Sequence, residues 1–207
     1  VEAKLGPVDV LINNAGIMLL GDFFDEDLAL SRRQIEINLW GVLTGSQLAG
    51  KRFRRRGRGH IVNVASMAGK SGFPGGATYC ATKHAVVGLS ESIRSELGDS
   101  GVEVSCVMPS IVNTELASGL GQARFVKNID PQDVANEIVD ALKSPRFDVF
   151  VPRSHSGRCD GRLQLAEARQ RRPVLMSVRS RARSAPGIRP SGSGVADLPA
   201  VGSRRGV

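Results

Sequence analysis

The sequence predicts an α/β fold: a doubly wound parallel sheet with helices on both faces. Strand-like runs and long apolar-periodic segments alternate along the chain. Runs such as Val8-Asp-Val-Leu-Ile12 are nearly continuous in apolar residues, the pattern of strands covered on both faces. Each main run ends in a turn that carries a polar or small residue, at Asn14, Ser66 and Pro109. Alternating βα units imply right-handed crossovers, and in such sheets a ligand lies outside the carboxyl ends of the strands. Those three residues therefore converge on one crevice.

The elements follow in order. Val1-Glu-Ala-Lys-Leu-Gly6 reads as the last turn of a helix, followed by a strand over about 8–13. Ile35, Leu39, Val42 and Leu43 give the periodicity of a long helix over about 28–56, closed by the basic run Lys51-Arg-Phe-Arg-Arg-Arg56. Cations suit that end of a helix dipole, so the run reads as a solvated helix end. A strand is expected over about 60–65. Val86, Leu89, Ile93 and Leu97 mark a helix over about 78–98, stopped near Gly101. A strand over about 102–108 and a short helix near 114–120 come next. Asp130-Pro131 supplies an N-cap and a first-turn proline for a helix over about 131–143, and a strand over about 148–152 ends the pattern.

The chemistry concentrates in Tyr79-x-x-x-Lys83, with Ser66 preceding the tyrosine by thirteen residues. Tyrosine and lysine four apart share one helix face. Ser66 ends the run His60-Ile-Val-Asn-Val-Ala-Ser66, across a Gly-rich loop from that helix start. A phenol beside an ammonium is a proton donor tuned toward neutral pH. Free tyrosine titrates near ~10, and lowering that by about 3 pH units needs ~4 kcal/mol. An exposed ion pair supplies only ~0–1 kcal/mol, so the site must be partly dry and needs a second positive charge. Taken alone, the pair reads as a core tyrosine with a snorkelling lysine, since such pairs are common by chance.

Three further segments decide between these readings. They are the turn Asn13-Asn14-Ala15-Gly16 after a strand, Asn38 within the helical segment, and Pro109-Ser-Ile-Val112-Asn-Thr114 after another strand. Together with Ser66, Tyr79 and Lys83, their order and spacing resemble the classical short-chain dehydrogenase/reductase family, over residues 1 to about 152. The resemblance implies a Rossmann-like domain that binds NAD or NADP and transfers hydride between a nicotinamide and a carbonyl or secondary alcohol. It implies catalytic roles for Asn38, Ser66, Tyr79 and Lys83. It assigns Asn14, Ala15, Gly16, Tyr79, Lys83, Pro109, Val112 and Thr114 to cofactor binding, with Asn38 holding a proton-relay water. It implies a substrate pocket drawn largely from residues 110–130, including Leu116, Leu120 and Phe125. It also implies a homodimer or homotetramer packed through the helices near 28–56 and 78–98. Ser110 departs from the glycine usual in the family.

Two features depart further. The family's glycine-rich TGxxxGxG turn, which brings backbone and a helix N-terminus to the pyrophosphate, has no match here; Gly41-x-x-x-Gly45 lies within a helical pattern. The expectation is a domain truncated at its N-terminus and lacking its first strands. The strand at 8–13 then forms an apolar sheet edge, and the chain as it stands is inactive. Residues 153–207 hold twelve Arg against three acidic residues, together with eight Ser, seven Gly and four Pro. That composition buries too little apolar surface to order itself and reads as a disordered tail.

The net charge of +8 belongs to that tail: it carries +9, and residues 1–152 carry −1. The near-neutral front argues against a nucleic-acid binder. A 41% hydrophobic content can bury a core, and no apolar run is long enough to span a membrane. Cys80, Cys106 and Cys159 lack metal spacing, which fits a reduced, cytoplasmic setting without a metal. The competing function class is a non-catalytic fragment or interaction module that keeps the back half of the fold.

Overall fold

The computed structural model describes residues 2–113 and 128–155. Its elements are α1 (Glu2–Leu5), β1 (Val10–Asn13), α2 (Leu28–Ile35), α3 (Gly41–Arg56), β2 (Gly59–Val64), α4 (Ala77–Leu97), β3 (Val102–Pro109), α5 (Pro131–Lys143) and β4 (Asp148–Val151). The four described strands form one parallel sheet in the order β1-β2-β3-β4. The short helix expected near 114–120, Leu116, Leu120, Phe125 and the tail beyond His155 lie outside the described residues.

Register separates the two faces of the sheet. Leu11, Ile61, Val104, Cys106 and Met108 meet α3 and α4 through Val42, Phe53, Val86, Val87 and Ile93. Val62, Val107, Val149 and Val151 meet α5 through Val134, Ile138 and Ala141. Helices thus cover both faces, as the apolar strand runs require. Full burial of one such aliphatic side chain stabilises by roughly 1.5–3 kcal/mol. The cover over β1 is incomplete: Val10 is 38% and Ile12 44% exposed. Both sit on the face that α5 covers farther along, at β3 and β4, so β1 is the apolar edge the sequence suggests.

The helix expected over 28–56 is interrupted. Asp27 caps α2, its carboxylate accepting from Ala29 N–H at 2.8 Å. Between α2 and α3, Glu36–Trp40 form a π turn in which Gly41 N–H reaches Glu36 C=O. Such wide turns mark functional positions in helices, and this one holds Asn38. At the far end Gly57, at φ 69°, closes α3 in the left-handed conformation that glycine adopts without a Cβ penalty. Pro131 opens α5 where the sequence places it, and Asp130 N–H bonds the Asp133 carboxylate at 3.1 Å.

His60 is buried within the sheet. Its Nε2 lies 2.9 Å from Ser105 Oγ, and that hydroxyl gives its proton to Arg146 C=O at 2.6 Å. His60 therefore donates through Nε2. Burial pushes its pKa below the ordinary 6.5, and Glu103, its neighbour in register on β3, pulls weakly the other way. The folded state then binds fewer protons than the unfolded chain in the window below pH 6.5, so stability falls as pH drops through that window. Urea midpoints should decline between about pH 7.5 and 5.5, and His60→Gln should flatten that decline. An unchanged slope in the variant would count against His60 as the source.

Candidate active site

The carboxyl ends of β1, β2 and β3 and the first turns of α4 build one site. β2 ends at Val64, and Ser66 then caps a 3-10 turn, Met67–Gly69, its Oγ accepting from Ala68 N–H at 3.1 Å. The same hydroxyl points to Pro109 C=O at 3.5 Å, a long contact that ties the ends of β2 and β3. Gly69 makes the close approach to α4 possible. A Cβ there would lie 2.7 Å from Lys83 O and 2.9 Å from Val87 Cγ2. Gly69→Ala should therefore destabilise by about 1–3 kcal/mol, read as a lower urea midpoint; a neutral result would mean that the turn moves freely against α4.

Tyr79 lies in the first turn of α4 and is 7% exposed. Its ring packs with Ala68, Cys80, Met18 and Phe73. Burial raises the phenol pKa, a hydrogen bond from Ser66 lowers it, and Cys80 adds a small upward push. One turn on, Lys83 is buried, its Nζ donating to Val64 C=O at 3.0 Å and lying 5.7 Å from the Tyr79 ring centroid. Burial depresses the Lys83 pKa to about 8. The expected lowering of Tyr79 is therefore not met in the protein alone: burial is the largest influence on both groups.

Asn38 reaches the same crevice from the π turn. Its Oδ1 accepts from Ile17 N–H at 2.8 Å, while Nδ2 donates to Ile17 C=O at 2.8 Å and to Thr82 Oγ1 at 3.2 Å. The carboxamide is thus occupied by protein partners. Gly16 lies against it: a Cβ there would sit 3.3 Å from Asn38 Oδ1 and 3.7 Å from Lys83 Nζ. Asn14 and Ala15 are exposed at the end of β1. Val112 forms an isolated bridge with Ile129, while Ser110 Oγ is buried with no hydrogen-bond partner. Thr114 lies outside the described residues. The structure brings Asn38, Ser66, Tyr79, Lys83, Gly16 and Pro109 together.

Further polar side chains frame the site. Gln34, fully buried one turn before Asn38, accepts from Leu19 N–H at 2.7 Å. Its spacing to Asn38 on an apolar helix face was the available signal. Thr82 is 2% exposed, inside the Tyr-Lys motif itself. Asn13 bonds Asn63 Oδ1 at 2.8 Å and Ser46 Oγ at 3.1 Å, and Asn63 bonds Ser90 Oγ at 2.9 Å, a buried chain joining β1, α3, β2 and α4.

Residues 1–124 match a family model described as short chain dehydrogenase. The chain is 34% identical over 150 residues to a ketoacyl reductase, HetN, of Nostoc sp., covering 71% of this chain and 52% of that protein. It is 34% identical over 145 residues to a 3alpha-hydroxysteroid dehydrogenase of Mediterraneibacter gnavus, covering 66% and 58%. The chain therefore spans only a little over half the length of these curated relatives. Among solved structures, ElxO with NADP bound aligns with a TM-score of 0.64 at 29% identity, over 72% of this chain and 68% of that one. A short-chain dehydrogenase from Streptomyces avermitilis aligns with a TM-score of 0.66 at 28% identity, over 81% and 70%.

Proposed function

Since this chain belongs to the short-chain dehydrogenase family, we propose that it is the catalytic part of an NAD- or NADP-dependent oxidoreductase acting on a carbonyl or secondary alcohol. The observation that carries this reading is the joint placement of Ser66, Tyr79 and Lys83, with Lys83 Nζ held on Val64 C=O beneath the phenol. An ammonium has three N–H groups, so two remain for sugar hydroxyls and the phenol. Gly16 brings the β1 turn against Lys83 and Asn38. These donors suit the nicotinamide-ribose half of the cofactor, which Asn14, Ala15, Pro109 and Val112 would border, and family resemblance assigns Thr114 the same role. When bound, that group supplies or accepts the hydride.

Tyr79 gives its phenolic proton to the substrate oxygen in reduction and takes it back in oxidation. Ser66 donates a hydrogen bond to that same oxygen as negative charge develops. Lys83 lowers the Tyr79 pKa once a second positive charge is present. Asn38 fixes the segment at Ile17 through its carboxamide and would hold a relay water through an acceptor that those bonds leave open.

Binding tests the reading without turnover. Several millimolar nicotinamide cofactor should stabilise the chain by about 1 kcal/mol, a Tm rise of roughly 2–4 °C, and Lys83→Ala should remove the rise. No rise with either cofactor would favour the second reading, a non-catalytic module that keeps the fold. The 207 residues contain no glycine-rich pyrophosphate turn, so we expect no measurable turnover from them alone. Carbonyl reduction at the rate of a complete relative would overturn that.

Self-association is part of the same proposal. Trp40 at 64% and Leu48 at 52% exposure lie on the α2–α3 surface, and the space over Gly88 on α4 is open. These surfaces suit packing against a second copy, and a monomer by sedimentation at micromolar concentration would count against it. Among the described residues no helix is long and apolar enough to cross a membrane. The buried free thiols of Cys80 and Cys106 suit a reducing, cytoplasmic setting.

A further inference from the structure

We propose that Thr82 is a positioning residue: its hydroxyl locks Asn38, on the π turn, to the turn of α4 that carries Tyr79. The inference rests on the reading of Tyr79 as the acid-base residue. Thr82 is 2% exposed and faces Asn38. Its Oγ1 lies 3.2 Å from Asn38 Nδ2 and 2.7 Å from Tyr79 C=O.

The polarity of this link is fixed by chemistry. An amide nitrogen only donates and a carbonyl only accepts. Thr82 Oγ1 must therefore accept from Asn38 and pass its single proton to Tyr79 C=O. Asn38 in turn clamps both the N–H and the C=O of Ile17. A continuous chain of bonds runs from Ile17 through Asn38 and Thr82 to the backbone of Tyr79. It joins the β1 turn, the π turn and α4 around Lys83, with Gly16 closing the gap. No other described side chain bonds Asn38. Loss of the hydroxyl leaves one buried amide N–H without an acceptor and frees the carboxamide to rotate off Ile17.

Ser90 is the internal control. It is fully buried on the same helix, accepts from Asn63 Nδ2 at 2.9 Å and donates to Val86 C=O at 2.7 Å. Its removal costs α4 a comparable hydroxyl without touching Asn38.

The experiment reads two signals in the intact chain. One is hydrogen exchange of the Ile17 amide. The other is the ionisation midpoint of Tyr79, followed by tyrosinate absorbance, since Tyr79 is the single tyrosine in the sequence. Thr82→Val should speed Ile17 exchange at least about tenfold. It should also raise the Tyr79 midpoint by about half a pH unit or more as the Ser66 bond loosens. Thr82→Ser should restore both, and Ser90→Ala should leave both at wild-type values while lowering the urea midpoint. If Thr82→Val does not fold, Thr82→Cys, whose thiol bonds weakly, should move both signals part of the way. Any outcome short of this pattern overturns the assignment. Neither signal needs turnover, so its failure leaves the proposed function standing, and failure of the function leaves this link measurable.

Discussion

Tyr79→Phe is expected to cut turnover by about 10²–10⁴-fold, the range of a lost general acid, while cofactor affinity survives. The assay needs a pyrophosphate site, so the glycine-rich βαβ unit of a relative is fused ahead of Val1. The substitution removes one oxygen and keeps the ring against Ala68, Cys80, Met18 and Phe73. The fold should therefore tolerate it, and burial of the phenol, which raises its pKa, is relieved. Ser66 keeps the bond it accepts from Ala68 N–H, and its single proton turns from the long contact to Pro109 C=O to the substrate oxygen, so that hydrogen bond remains but no proton follows it. Both kcat and kcat/KM should fall together, the mark of an interaction made in the transition state. A variant retaining more than about a tenth of the rate would sink Tyr79 as the acid.

The parts of this site that the sequence disclosed are those fixed by local geometry. A four-residue spacing places Tyr79 and Lys83 on one face of α4 whatever lies around them, and the apolar run before Ser66 places that serine just beyond the carboxyl end of β2. The parts that stayed hidden depend on partners distant in the chain. Thr82 and Gln34 bond main-chain groups at Tyr79 and Leu19, and no spacing announces a backbone partner. The π turn at Glu36–Trp40 keeps the apolar period of a helix, so 28–56 reads as one unbroken element. The Tyr79 and Lys83 pKa directions hinge on how dry the crevice is, which packing sets and composition does not. The apolar edge at β1 was legible in the sequence, while which of its side chains, Val10 and Ile12, lie exposed depends on the reach of α5 across the sheet.

Lys83→Met should abolish function and stabilise the fold. Wild-type Lys83 is 6% exposed, and burial drops its pKa from 10.5 to about 8. Between these values the unfolded chain binds more protons than the folded one, so wild-type stability rises with pH across that window. Below about pH 8 the folded state carries the full penalty of a buried ammonium, up to about 3 kcal/mol. Methionine fills a similar volume without charge, although it leaves Val64 C=O without its donor at a cost of about 1 kcal/mol. The net gain is about 2 kcal/mol at pH 7, shrinking toward zero or below by about pH 10.5. Urea midpoints of the two proteins at pH 7 and 10 measure this directly. In the fused enzyme the same change should weaken cofactor binding and cut turnover by about 10²-fold or more, because the positive charge facing the phenol and the two free N–H groups are lost together. A buried lysine that lowers stability is retained for what it does at the site. If Lys83→Met is no more stable than wild type at pH 7, the ammonium is better solvated than its burial implies, and Lys83 cannot then act on Tyr79 through a dry crevice.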